Sequence, residues 1–132
     1  MEYSDLIKLE SNFEKMEQVR TGISKSVLEE LKDRINIGYD RLSVILGTSS
    51  GRLRRKKSDE KFNGPISEKI LALSDVYEFG YSVFEDQANL QRWMQIENRA
   101  LSNKRPIDLL DTSFGMIEVK NLIGRIAHGV YS

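Results

Sequence analysis

The chain has 132 residues, with 20 basic and 20 acidic side chains, one histidine and no cysteine. This length suits one ordinary domain or two small units. The lack of cysteine excludes disulfides, thiolate nucleophiles and sulfur-ligated zinc, and such a composition is expected of a cytoplasmic protein. No run of about 18 apolar residues could cross a bilayer, and the first residues lack the basic and apolar regions of a signal peptide.

The N-terminal part of the chain has the apolar spacing of α-helices. Apolar residues recur at steps of three and four over residues 4–19, and Thr21-Gly22 interrupts this pattern. A second helix is expected to begin after Ser24 or Ser26, because either side chain can cap it. Gly38 is predicted to end that helix. Its inward side is predicted to carry Val27, Leu28, Leu31 and Ile35.

Residues 39–58 carry the pattern of a helix-turn-helix unit. Such a unit joins a support helix to a recognition helix through a tight turn that often contains glycine. Gly47 stands at the turn, and Ser43 is small where the two helices approach each other. The sequence departs from the usual pattern in its polar Thr48 and in Gly51, which falls in the first turn of the second helix. The apolar residues that fix the angle between the helices are Leu42, Ile45, Leu46 and Leu53.

The predicted recognition helix is strongly basic. The stretch RLRRKKSDEK, residues 52–61, has six basic and two acidic residues. Ser49 or Ser50 can cap the helix, whose exposed amides then face phosphate. Arg52 and Arg54 are candidates for base edges, because arginine can donate two hydrogen bonds to guanine. The candidates for phosphate contacts are Arg55, Lys56 and Lys57. The simpler alternative is a solvated basic helix that contacts nothing.

The second half is also predicted to be helical, so the fold class is all-α. Gly64-Pro65 is predicted to divide an N-terminal domain, residues 1–63, from a C-terminal domain, residues 64–132. Apolar spacing indicates a long helix over residues 66–84 and another over residues 87–101. No strand pattern competes with these helices.

The last predicted helix has clear end signals. Pro106 suits the first turn of a brief helix before it, and Gly129 is expected as a left-handed residue after it. Gly115 and Gly124 lie inside this helix and are interpreted as close-packing positions, against the protein itself or against a partner chain. Its candidate caps are Asp111, Thr112 and Ser113. Its inward stripe is predicted to be Met116, Val119, Leu122, Ile123 and Ile126.

No catalytic site is indicated. A hydrolytic triad would need His128, which stands on the final helical turn, where it can instead face the carbonyl end of the helix dipole. Phosphate-loop, dinucleotide-binding and nucleophile-elbow motifs are absent, and no spacing supports a metal site. We therefore expect neither an enzyme nor a cofactor.

The C-terminal half carries an ordered series of motif residues. They are Val83-Phe84, Trp93, Asn98, Ala100-Leu101, Pro106, Leu109-Leu110-Asp111-Thr112, Gly115, Leu122, Gly124-Arg125-Ile126 and His128-Gly129-Val130. This series closely resembles the toxin-binding domain of the Xre/MbcA/ParS antitoxin family over about 50 residues. The part upstream, residues 25–57 with its RLRRKK stretch, also resembles the Xre-like part of that family.

The resemblance implies an antitoxin whose partner is a cognate RES-domain toxin, an enzyme that attacks NAD⁺ or transfers ADP-ribose from it. Arginine and aromatic side chains are common interface anchors. The C-terminal end is therefore predicted to enter or cover the dinucleotide pocket of the toxin, with the terminal carboxylate in place of an anionic group of NAD⁺. The predicted toxin-binding residues are Arg125, His128, Gly129, Val130, Tyr131 and Ser132.

The charge pattern and the motifs leave other functions open. Residues 52–61 have a net charge of +4 and residues 75–97 a net charge of −4, which suits operator DNA at one end and a different partner at the other. A homodimer is expected, because operator sites for such domains are commonly two-fold. One alternative is a transcription regulator without a toxin, whose C-terminal half only dimerises or senses a ligand. Another is a toxin-blocking protein with a vestigial helix-turn-helix.

Overall fold

The structure is a computed structural model that describes residues 11–129. Part of the first predicted helix, and Val130, Tyr131 and Ser132, lie outside the described residues. Over residues 11–129 every regular element is a helix, and the predicted all-α fold class is confirmed. None of the helices in this range is long and apolar enough to cross a membrane.

The α-helices are α1 (Asn12–Thr21), α2 (Lys25–Ile35), α3 (Tyr39–Leu46), α4 (Ser50–Arg55), α5 (Gly64–Val83), α6 (Gln87–Met94) and α7 (Ser113–Ala127). Two short 3₁₀ helices, η1 (Arg99–Leu101) and η2 (Pro106–Leu109), stand between α6 and α7. The chain divides into two compact units, Met1–Asp75 and Val76–Ser132. The division falls inside α5, whereas the sequence pattern places a domain boundary at Gly64, where this helix begins.

In the first unit, serine side chains begin the helices. Ser11 accepts a hydrogen bond from the amide of Glu14, and Ser24 caps α2 by accepting from the amide of Val27. Helix α2 ends at Ile35 and is capped by Asn36, which is left-handed with φ 56°, so the helix stops before the predicted boundary at Gly38. Asparagine tolerates this conformation because its short polar side chain can bond locally. Gly38 is the N-cap of the next helix, α3.

The core of the first unit follows the apolar pattern of α2, α3 and α5. The inward residues Leu28, Leu31 and Ile35 are buried, whereas Val27 is only half-buried. Helix α5 also buries the polar residue Ser67, which is tolerated because its hydroxyl forms hydrogen bonds inside the protein. Its hydroxyl accepts from the amide of Ile23 at 2.8 Å and donates to the carbonyl oxygen of Phe62 at 3.2 Å.

In the second unit, the helix predicted over residues 87–101 is shorter than expected. Helix α6 ends at Met94, and the chain turns before η1. The side chain of Asn98 accepts from the amide of Ala100 at 2.9 Å, and its backbone amide donates to Lys104 at 3.0 Å. Asparagine bonded in this way offers the backbone an alternative to the helical ladder, which explains the break.

The last helix agrees with its predicted ends. The hydroxyl of Thr112 accepts from the amide of Gly115 at 3.0 Å, and Gly129 is left-handed with φ 72°. Ile126 is only half-buried, in contrast to the rest of the predicted stripe. The buried members are Met116, Val119, Leu122 and Ile123.

Candidate functional site

Helices α3 and α4 form the predicted helix-turn-helix geometry. The apolar residues that fix the angle are fully buried, namely Leu42, Ile45, Leu46 and Leu53. Gly47 is left-handed with φ 71°, and the amide of Thr48 donates to the carbonyl oxygen of Ser43. Ser49, rather than Ser50, caps α4 by accepting from the amide of Arg52 at 3.1 Å. The polar Thr48 therefore fits a turn that the backbone itself stabilises.

A groove of about 570 Å³ lies beside α4 and is lined by four basic side chains. They are Arg52, Arg55, Lys56 and Lys61. Phe62 forms part of the wall, and the ammonium group of Lys56 lies 5.3 Å from the centre of its ring. Lys61 is not among the predicted site residues, although the basic stretch, residues 52–61, ends at this lysine. Lys57 is exposed, and its amide donates to Glu60.

The cations of this groove are not neutralised within the protein. Among residues 11–129, none of the four basic side chains lies within ion-pair distance of a carboxylate. Glu60 also lines the groove, so the groove has a formal net charge of +3. Uncompensated charges on neighbouring elements add their potentials, and this attracts phosphate.

Arg54 is held differently from the other basic residues of α4. Its guanidinium lies 3.5 Å from the carboxylate of Asp40 and 3.4 Å from the hydroxyl of Ser50. It also lies 5.6 Å from the centre of the Tyr39 ring. Arg54 is thus paired against α3, and only Arg52 of the two predicted base-reading arginines lines the groove.

Tyr39 organises a second group of charges at the start of α3. The ammonium group of Lys32 lies 4.8 Å from the ring centre, and that of Lys25 lies 5.4 Å away. Burial raises the pKa of the Tyr39 hydroxyl, and Glu29, which accepts its hydrogen bond at 3.5 Å, raises it further. The ring therefore stays neutral at physiological pH and offers its face to cations.

Lys25 is a buried residue that the apolar pattern did not reveal. Its side chain is only 4% exposed, and its ammonium group donates to carbonyl oxygens at the end of α4. The distances are 2.6 Å to Leu53, 2.9 Å to Lys56 and 3.4 Å to Arg54. These carbonyls have no helical partner at a helix end. Lys25 therefore fixes the C-terminal end of the basic helix from inside the fold.

Gly51 accommodates an arginine of the same helix. A methyl group added at this glycine would lie 2.9 Å from the guanidinium of Arg55, which folds back over the first turn of α4. The glycine that departs from the usual pattern therefore leaves space for one of the groove cations. Because the obstructing atom is the end of a flexible side chain, this packing is adaptable.

The predicted toxin-binding residues within the described range lie at the end of α7. Arg125 and His128 are both exposed, and the amide of His128 donates to Gly124 at 3.2 Å. Gly129 follows in a left-handed conformation. The other three predicted residues, Val130, Tyr131 and Ser132, lie outside the described residues. Across residues 11–129 there is no cluster of histidine and acidic residues that could hold a metal ion.

Two family models match this chain over most of its length. The antitoxin Xre-like helix-turn-helix domain matches residues 14–74, which include α3 and α4. The antitoxin Xre/MbcA/ParS C-terminal toxin-binding domain matches residues 80–129, which include α7. The chain belongs to the Xre/MbcA/ParS antitoxin family.

Individual relatives agree with this family. The antitoxin is 29% identical to the antitoxin Xre of Yersinia enterocolitica, over 89% of this chain and 80% of that protein. It is 28% identical to the antitoxin Xre of Photorhabdus laumondii, over 84% of this chain and 76% of that protein. Among solved structures, it resembles a chain of the M. tuberculosis MbcT–MbcA toxin–antitoxin complex, with a TM-score of 0.63. That match has 21% identity and covers 82% of this chain and 96% of that one, so it supports the fold.

Proposed function

We propose that this antitoxin neutralises a RES-domain toxin that acts on NAD⁺, and that it represses its own operon by binding DNA. In this proposal the C-terminal end covers the active site of the toxin, and the helix-turn-helix unit holds the operator. The protein works by occupying surfaces and catalyses no reaction. A homodimer would present two helix-turn-helix units to a two-fold operator.

The neutralising function is supported by the position at which the matched toxin-binding domain ends. The matched region runs to residue 129 and finishes with exposed Arg125 and His128 on the last turns of α7. An arginine donates five hydrogen bonds in a rigid planar arrangement, which suits it as an anchor on the polar surface of a partner protein. The segment Val130–Ser132 follows directly and brings an aromatic side chain, a common interface anchor.

The groove beside α4 supports the DNA-binding function. Its four cations form no ion pair within the described part of the chain, and three of them, Arg52, Arg55 and Lys56, lie on α4 or directly after it. Arg52 is the candidate for a base contact, since it lies on α4 and lines the groove. Arg55, Lys56 and Lys61 are placed to hold phosphates. Arg54 needs to leave Asp40 before it can reach a base.

Neutralisation is tested by co-expression with a cognate RES-domain toxin. The unmodified antitoxin should restore growth and the cellular NAD⁺ level. Removal of residues 128–132 should abolish rescue while the helical circular dichroism and the DNA affinity of the protein persist. Full rescue by the truncated protein would show that the C-terminal end does not block the active site.

Repression is tested by binding of the purified antitoxin to the DNA upstream of its own gene. Replacement of Arg52, Arg55 and Lys56 with alanine should abolish specific binding, and the thermal unfolding midpoint should stay unchanged. If the unmodified protein has no higher affinity for this DNA than for unrelated DNA, the antitoxin is a toxin-blocking protein alone. Light scattering of the complex measures whether a homodimer binds.

A further inference from the structure

Helix α7 carries two large hydrophobic side chains that are exposed to solvent. Phe114 is 80% exposed and Ile117 is 53% exposed, although both are large hydrophobic residues. Residues spaced by three, four and seven positions share one side of a helix, so Asn121, Gly124 and His128 continue this side toward the C-terminal end. Arg125 lies next to it and is exposed as well. We call the residues Phe114, Ile117, Gly124, Arg125 and His128 the outer face of α7.

The core of the second unit does not account for this face. The opposite side of α7 is already buried through Met116, Val119, Leu122 and Ile123. Scattered exposed apolar residues are ordinary, but a phenylalanine and an isoleucine on adjacent turns form a contiguous patch. Such patches mark binding surfaces when polar residues border them. Glu118 and Lys120, both exposed, provide that border here.

The glycines of the second unit support the same conclusion. A methyl group at Gly115 would lie 1.7 Å from the carbonyl oxygen of Leu109, and one at Gly80 would lie 2.7 Å from the Leu90 side chain. A methyl group at either position would therefore force the surrounding atoms of the unit to shift. A methyl group at Gly124 would meet only the Phe79 ring, at an ordinary 3.9 Å. Nothing in the described residues explains why a residue that weakens a helix stands there.

We propose that the outer face of α7 is where the toxin docks, with Phe114 and Ile117 as apolar anchors and Gly124 as a point of close approach. This inference rests on the proposed function, because it takes the toxin as the occupant. The partner surface is expected to be an apolar groove with an acidic border that pairs with Arg125. A glycine allows a neighbouring backbone to approach a helix more closely than any other residue does.

Continuity with the C-terminal end favours the toxin over a second copy of this chain. The face begins at the first turn of α7 and ends at His128, so in the sequence it adjoins the C-terminal end that is proposed to cover the active site of the toxin. The whole face lies within the matched toxin-binding domain, residues 80–129. The face carries Arg125 and its border carries Lys120, but there is no dense group of cations, so it lacks the charge expected of a DNA surface.

The anchors are tested by the affinity of the full-length antitoxin for the RES-domain toxin, measured by calorimetry. Phe114→Asp and Ile117→Asp should each weaken binding by about tenfold or more. Phe13→Asp is the matched control, because Phe13 is 78% exposed on α1 in the first unit. It should change the dissociation constant by less than about twofold. An equal loss in all three variants would overturn the proposal.

Gly124→Ala separates a docking role from a structural one. The substitution should raise the thermal unfolding midpoint of the free antitoxin and at the same time weaken toxin binding. If binding is unchanged in this variant and in both aspartate variants, the outer face is not the docking site, although neutralisation by the C-terminal end stands. If the unmodified antitoxin does not bind the toxin, both proposals fail. If the variants instead abolish self-association and leave toxin binding intact, the occupant is a second copy.

Discussion

The ammonium group of Lys25 lies 2.6 Å from the carbonyl oxygen of Leu53, and this hydrogen bond joins the start of α2 to the basic helix α4. The same ammonium group donates to Lys56 at 2.9 Å. A buried charge is tolerated only where hydrogen bonds replace its hydration. Lys25 is therefore a positive charge placed beneath a helix that is itself basic, where it satisfies the terminal carbonyls and adds to the potential of the groove.

Replacement of Lys25 with methionine should destabilise the antitoxin. Methionine keeps the unbranched apolar stem but leaves buried carbonyl oxygens without a donor, at a cost of about 1–3 kcal/mol in the free energy of unfolding. Urea unfolding followed by circular dichroism measures this change. Lys120→Met is the matched control, because Lys120 is exposed on α7. Equal stability of the two variants would show that these hydrogen bonds are not structurally important.

Lys61→Ala tests whether the groove beside α4 holds DNA. Loss of one phosphate contact should weaken binding to all sequences alike and reduce the slope of log affinity against log salt by about one. Fluorescence anisotropy over a range of KCl concentrations provides both quantities. In Lys120→Ala the slope should stay at its original value. An unchanged slope in Lys61→Ala would place the DNA away from this groove.

Asp40→Asn should strengthen DNA binding. The carboxylate pairs with Arg54 at 3.5 Å, and its removal frees this arginine and takes a negative charge from the surface. Exposed ion pairs are weak, so an increase in affinity of about two- to fivefold is expected. The gain should disappear in the double variant Asp40→Asn with Arg54→Ala. A persistent gain would mean that Asp40 acts by repelling phosphate and not by holding Arg54.

Alanine at two glycines of α7 should have opposite effects on stability. Gly115→Ala should lower the free energy of unfolding by at least about 2 kcal/mol, since the added methyl group would overlap the carbonyl oxygen of Leu109. Gly124→Ala should raise it by about 0.5–1 kcal/mol, as in an ordinary helix interior. Thermal or urea unfolding of the two variants gives the comparison. Two changes of the same sign would contradict this assignment.

Several features of the antitoxin follow from residues that are close together in the sequence. Ser24, Ser49 and Thr112 begin helices because each side chain bonds an amide three positions later. Gly47 ends α3 because glycine adopts a left-handed conformation at little cost. The helix predicted over residues 87–101 is wrong in its length, because a bend around Asn98 competes there with continuation of the helix beyond Met94. A hydrogen bond from the backbone to Asn98 stabilises the bend.

The amino-acid sequence by itself determined the all-α fold class, the position of the helix-turn-helix unit and the family, because caps, apolar periods and motif order depend on neighbouring residues. Only the tertiary structure decided that Lys25 bonds Leu53, 28 positions away, that Arg54 is paired with Asp40, and that Lys61 joins the basic groove. It also distinguished Gly115 from Gly124, which look alike in a helix pattern. The physical reason is that burial, charge pairing and free space at a side chain are set by distant segments packed around it.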